Sequence, residues 1–192
     1  SGDNAFVDSM NNISLEKNIL GVSKNGWKIE AEKANYDQKT DKIYANSRVK
    51  VYSEENNFTL YGNSLITDTK LEDLNLKEDI RVETNKMELN ADFAHYNDLT
   101  KILDIKENIR VKSSKLGMLQ EDEVLGHFKE ARYDGLKKTL HTQGDFVIYY
   151  KGINLRAEDL KYDQITGDFI ISKNIIIEFE NGNLTVDKIN YV

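Results

Sequence analysis

The sequence contains no cysteine, which excludes disulfides, thiolate zinc sites and cysteine nucleophiles. Proline is absent too, and with it collagen, proline-rich linkers and proline-shielded sheet edges. With only 11 glycines in 192 residues, turns fall largely to Asn and Asp, which tolerate positive φ or hydrogen-bond their own backbone. No apolar run approaches the roughly 18 residues of a membrane-spanning helix, and no signal-peptide core is visible. The chain opens Ser1-Gly2-Asp3 without an initiator Met, so a targeting or anchoring segment upstream remains an expectation. Clustered basic charge is also missing. A formal charge of -7, with signs alternating along the chain, argues against a nucleic-acid partner.

What is present is internal similarity. The stretches Ile29–Asp37, Leu89–Asn97 and Leu155–Asp163 align, each carrying Ala then a Tyr followed by Asp or Asn. Weaker copies run from Leu60 to Asp68 and from Phe128 to Asp134, and a sixth begins at Leu184 and reaches Tyr191. Each of the first five is followed by a second apolar stretch: Val49 and Val51, Ile80 and Val82, Ile109 and Val111, Phe146–Tyr149, and Ile175–Ile177. A turn-capable residue stands beside each one (Ser47, Asp79, Asn108, Asp145 and Asn174). Tyr133, Tyr162 and Tyr191 are spaced 29 residues apart, whereas Tyr96 to Tyr133 is 37. The longer step reflects an insertion at residues 113–124.

Within a unit the hydrophobic period is two, as in Ile80-Arg81-Val82-Glu83, the mark of a strand with one buried face. Asp/Asn/Gly/Thr clusters such as Asp163–Gly167 separate the strands as hairpin turns. The fold class is therefore all-β, built from tandem two-strand repeats. The skip from Ala31 to Ala34 breaks alternation and predicts a bulge or corner. Residues 1–26 form a leading strand or a tether, and 27–192 a single repeat domain.

Catalytic chemistry has little to stand on. His95, His127 and His141 have neither i,i+2 nor i,i+4 spacing and no joining carboxylate cluster, so no metal site is expected. No nucleophile elbow, phosphate loop or dinucleotide fingerprint occurs. The carboxylate groups Glu54-Glu55 and Glu121-Asp122-Glu123 fall in predicted turns. The recurring Tyr-Asp pairs read as a ring packed at a strand end with the Asp capping the turn. Trp27, the only tryptophan, reads as an end cap. The expectation is a binding protein, with no enzymatic activity and no cofactor.

The opening from Gly21 through Trp27, Ile29, Ala31, Ala34 and Tyr36 resembles that of LptC proteins. The units that follow (Leu60-Tyr61-Gly62 with Thr67-Asp68, then Ile80-Arg81-Val82; Leu155-Arg156-Ala157 with Tyr162-Asp163, then Asn174–Ile177) resemble the OstA-like repeat of LptC and LptA. The similarity spans about residues 20–192. It implies a twisted, incompletely closed β-jellyroll with a V-shaped cross-section, whose apolar trough carries lipopolysaccharide acyl chains across the periplasm.

On that resemblance the trough is lined by Ile29, Val49, Val51, Leu60, Ile80, Val82, Leu89, Ile109, Val111, Val147, Leu155, Ile175 and Ile177. Leu184, Val186, Ile189 and Tyr191 then lie on the edge that docks an LptA-like bridge protein. An inner-membrane ABC transporter would supply lipid at the N-terminal edge, and an N-terminal helix would anchor the protein to the inner membrane. Edge-to-edge self-association is a further possible partner mode. Three alternatives stay open: an LptA-like soluble bridge protein, a structural or adhesive repeat protein of the envelope with a dry core, and an enzyme acting on envelope glycans. The last would need a polar cleft with converging carboxylates.

Overall fold

The computed structural model describes residues 1–53, 58–84, 87–113 and 124–191. Its strands are Asn4–Val7 (β1), Ile13–Val22 (β2), Lys28–Asp37 (β3), Lys42–Ser53 (β4), Phe58–Asp68 (β5), Asp73–Thr84 (β6), Met87–Asn97 (β7), Ile102–Ser113 (β8), Val124–Asp134 (β9), Thr139–Tyr150 (β10), Ile153–Asp163 (β11), Phe169–Phe179 (β12) and Gly182–Tyr191 (β13). They are antiparallel and lie in sequence order in one open sheet of 13 strands, so strands consecutive in the chain are neighbours in the sheet. The described residues contain no helix. Thus residues 1–26, left above as strand or tether, carry two strands, paired from Asn4↔Glu16 to Val7↔Ile13.

Four of the hairpins turn on one device. Asp37 Oδ1 accepts the backbone N–H of Lys39 at 2.9 Å, Asp68 that of Lys70 at 2.9 Å, Asp134 that of Leu136 at 3.1 Å and Asp163 that of Ile165 at 2.8 Å. An aspartate two residues before the N–H it captures closes the turn without proline. This places the Tyr-Asp pairs at strand ends in a structural role.

Inside the strands the pattern is repeat-like. From β2 to β13, successive inward-face positions are two apart, except once per strand. On odd-numbered strands the step is three, as from Ala31 to Ala34 and from Ala157 to Leu160; on even-numbered strands it is four, as from Leu76 to Ile80 and from Ile171 to Ile175. The register shifts there in each described pairing from β2 to β13. The extra residue sits on the even-numbered strand, in the left-handed backbone region: Ser47 and Arg48 (φ 65° and 54°), Glu78 and Asp79 (64° and 52°), Glu107 and Asn108 (62° and 52°), Lys173 and Asn174 (67° and 50°). In β10 Gly144 does the same at φ 82°.

Ser47, Asp79, Asn108 and Asn174, read above as turn residues before a second strand, are therefore bulge residues inside one long strand. Left-handed geometry costs a non-glycine residue about 1–2 kcal/mol, which Asn and Asp offset through local hydrogen bonds. Asn63 Nδ2–H donates to Asp79 at 2.6 Å, Arg48 pairs with Glu32 at 3.1 Å, and Asn174 donates to Glu158.

The sheet divides into two compact units. The first comprises residues 1–85 and 92–99; the second comprises 86–91 and 100–192. Strand β7 contributes to both.

Candidate functional site

Because strands run in register, their buried-face side chains line up in rows across the sheet. In the first unit one row runs Gly21–Ile29–Val51–Leu60–Val82. A parallel row beyond the bulges runs Leu15–Ala34–Ala45–Leu65–Leu76. Between them Val49 faces Gly62, where an added Cβ would meet Ile80 Cδ1 at 2.9 Å. The interior of this unit is filled by its own side chains: Val51 and Leu60 are 0% exposed, and Val49, Leu65, Leu76 and Ile80 are equally buried.

One side of this interior is stoppered by aromatic rings. Trp27 packs against Phe58 (centroids 5.6 Å apart) and Tyr96 (5.3 Å), while Phe58 and Tyr96 meet edge-on at 5.2 Å. The Trp27 indole N–H donates to Asp98 Oδ1 at 2.9 Å, and Asn25 Nδ2–H donates to the other carboxylate oxygen at 2.9 Å. The Tyr96 hydroxyl also donates to Asp98, at 3.3 Å. Burial first, and then the charge of Asp98, hold the Tyr96 phenol well above its ordinary pKa. The expected end cap is thus a buried, hydrogen-bonded stopper tying the turn before β3 to the turn after β7.

The second unit is built on the same rows with less cover. Its first row runs Val111–Gly126–Ile148–Leu155–Ile177–Leu184. Its third runs Ile105–Ala131–Thr142–Leu160–Ile171–Ile189, and its fourth Leu103–Tyr133–Leu140–Tyr162–Phe169–Tyr191. Leu103, Ile105, Ile109 and Ala131 are buried here, and Phe146, Ala157, Ile171 and Ile175 form a buried cluster against which Phe128, Ile148, Leu155, Leu160, Phe169, Ile177, Val186 and Ile189 pack only partly buried. The Phe128 ring stacks on Phe146 at 5.5 Å and occupies the space above Gly126. Cover fades toward β13, where Leu184 is 49% exposed.

Of the thirteen residues expected to line a trough, nine are buried: Ile29, Val49, Val51, Leu60, Ile80, Val82, Leu89, Ile109 and Ile175. Val111, Leu155 and Ile177 are half-buried in the first row of the second unit. Val147 is in register with His127 and Arg156, on the face opposite Phe146 and Ile148. It does not share the apolar face, because side chains alternate along the strand and the core residue of β10 beside it is Phe146.

Leu184, Val186, Ile189 and Tyr191, expected to form a docking edge, continue the four rows, opposite Ile177, Ile175, Ile171 and Phe169. What β13 offers at the sheet's end is its backbone. Leu65, Leu74, Leu76, Leu103, Ile105, Leu160 and Ile171, on the far side of the bulges, belong to the same faces and were not among the expected lining residues.

Polar chemistry is sparse on these faces. His95 meets Asp73 at 2.6 Å and His141 meets Asp159 at 2.7 Å, while His127 lies edge-on to Tyr149 at 5.8 Å. Among the described residues no group of three or more His, Cys, Asp or Glu could hold a metal ion. The carboxylates at 54–55 and 121–123, and most of the 113–124 insertion, lie outside the described residues. Among the described residues no helix is long and apolar enough to cross a membrane. Compared with known proteins, the chain matches no family model and no curated protein.

Proposed function

We propose that this chain is a lipid carrier of the LptC/OstA kind, with the partly covered apolar face of the second unit as its acyl-chain site. The observation that carries this reading is the incomplete cover of one row, half-buried at Val111, Ile148, Leu155 and Ile177 and exposed at Leu184. Apolar surface left in water costs about 25 cal/mol per Å², and each methylene of an acyl chain laid there recovers about 0.8 kcal/mol. Lipopolysaccharide is the amphiphile that the sequence resemblance implies. In this reading the protein works in the periplasm, fed by an inner-membrane ABC transporter at its N-terminal edge. The free edge of β13 hands lipid on by strand pairing with a bridge protein. The incompletely closed jellyroll belongs to the same proposal.

The test is photocrosslinking to purified lipopolysaccharide with the probe at Leu155 or Ile177, and at Arg156 as an outward control. Crosslinks at the first two and not at the third are expected. Equal labelling at all three, or none, would replace the carrier by a scaffold. The scaffold reading has its own support, since the filled interior of the first unit leaves Val51 and Leu60 no room for a guest.

A further inference from the structure

The turns that share the aspartate device differ at one position, two residues beyond the Asp or Asn that ends the strand. After β3 and β5 that residue is Lys39 and Lys70; after β7, β9 and β11 it is Leu99, Leu136 and Ile165. The three aliphatic residues are 70%, 71% and 74% exposed. The turn itself does not call for them. The aspartate takes the N–H of whatever residue stands there, lysine in two turns and Leu136 or Ile165 in two others.

Within the second unit the turns after β9 and β11 are held together. Gln164 N–H donates to Lys138 O at 2.9 Å, and the Tyr133 hydroxyl donates to Gln164 Oε1 at 2.8 Å. Leu136 and Ile165 therefore project from neighbouring turns of one fixed rim. The charges beside them are sorted by sign. Lys137 and Lys138 are exposed, whereas Asp134, Asp163 and Asp168 are half-buried. Asp134 and Asp163 are turned back onto their own turns, each accepting two backbone N–H groups. The Lys137–Asp134 pair, at 3.3 Å, leaves the lysine side chain 77% exposed, so water screens it and the ammonium can change partners.

We infer that this rim rests on an anionic lipid bilayer, with Leu136 and Ile165 entering the hydrocarbon and Lys137 and Lys138 meeting headgroup phosphates. A protein partner would need a pocket shaped for each tip, but a bilayer accepts any apolar tip, and its negative surface complements the exposed lysines. Bulk charge does not supply the attraction, because the chain as a whole carries -7. The contact does not rest on the carrier reading; it serves a lipid carrier and a scaffold alike.

The experiment is flotation of the full chain with phosphatidylcholine vesicles, with and without phosphatidylglycerol. Wild-type protein is expected to float with the anionic vesicles and to be released by salt. Leu136→Gln with Ile165→Gln should lower the partition by roughly tenfold for each side chain removed. Lys137→Gln with Lys138→Gln should lower it severalfold on anionic vesicles only. Met10→Gln, which alters an apolar turn residue of the first unit that is 72% exposed, should change nothing. Because the chain has no cysteine, one environment-sensitive dye can also be placed through Leu136→Cys or Lys70→Cys. Its emission should shift to the blue on vesicles at position 136 and not at position 70. Failure of the wild type to float, full partition of the Leu136/Ile165 variant, equal loss in Met10→Gln, or equal blue shifts at both dye positions would each overturn the inference. None of these outcomes bears on lipopolysaccharide crosslinking at Leu155, so the carrier reading stands or falls separately.

Discussion

The two units share one strand pattern and use it differently. In the first, the step of three on odd-numbered strands and four on even-numbered ones brings Leu65 and Leu76 into a row parallel to that of Val51 and Leu60, and all four are buried. Trp27, Phe58 and Tyr96 then stopper it, with Asp98 gathering three donors. In the second, the same rows end on β13 with Leu184 exposed and Val186, Ile189 and Tyr191 half-covered. The lesson is that an alternating strand does not by itself declare a ligand face. What separates a core from a candidate groove is whether anything covers the last rows.

The comparison is broken most directly by truncating equivalent first-row leucines. Leu60→Ala removes a fully buried side chain and should cost about 3–5 kcal/mol in denaturant unfolding. Leu155→Ala, half-covered in its row, should cost no more than about 1–2 kcal/mol. Equal losses would mean that the second unit is as tightly packed as the first. Asp98→Ala comes next in size. It strips the Trp27 indole N–H and the Asn25 amide of their acceptor, at about 1–3 kcal/mol. Since Trp27 is the only tryptophan, its emission should shift to the red as the stopper loosens. Unchanged emission would show that the rings seal this side without the carboxylate.

Much of this was legible in the sequence. Period-two alternation, the Tyr-Asp turns and the Ala31-to-Ala34 skip all point to long antiparallel strands with one interruption each. The four-residue skip on the partner strands was harder, because Ser47, Asp79, Asn108 and Asn174 supply left-handed backbone, and hairpins and bulges use the same residues. The deciding signal lies before the skip: Leu74-x-Leu76 and Leu103-x-Ile105 already alternate, so the strand has begun. Reading the skip as a strand start hid the third and fourth rows and moved Val147 onto the wrong face. The Trp27–Asp98 bond joins residues 71 apart in sequence, and no local pattern announces it.

The smallest effect sharpens the same contrast through pH. Tyr96 in the first unit and Tyr133 in the second both have raised pKa values, each chiefly through burial and then through a neighbouring aspartate. A phenol whose pKa is higher folded than unfolded binds its proton more tightly in the native state. Its contribution is complete below the unfolded value of about 10 and is lost as pH rises from there through the folded value. Tyr96 donates to buried Asp98, whereas Tyr133 donates to exposed Gln164 at 2.8 Å. Unfolding temperatures measured from neutral pH into the alkaline range should therefore fall once unfolded tyrosine ionises. Tyr96→Phe should flatten that fall clearly and Tyr133→Phe only slightly. If Tyr133→Phe flattens it as much, the stopper of the first unit is no drier than the open row of the second, and the distinction between core and groove would rest on exposure at β13 alone.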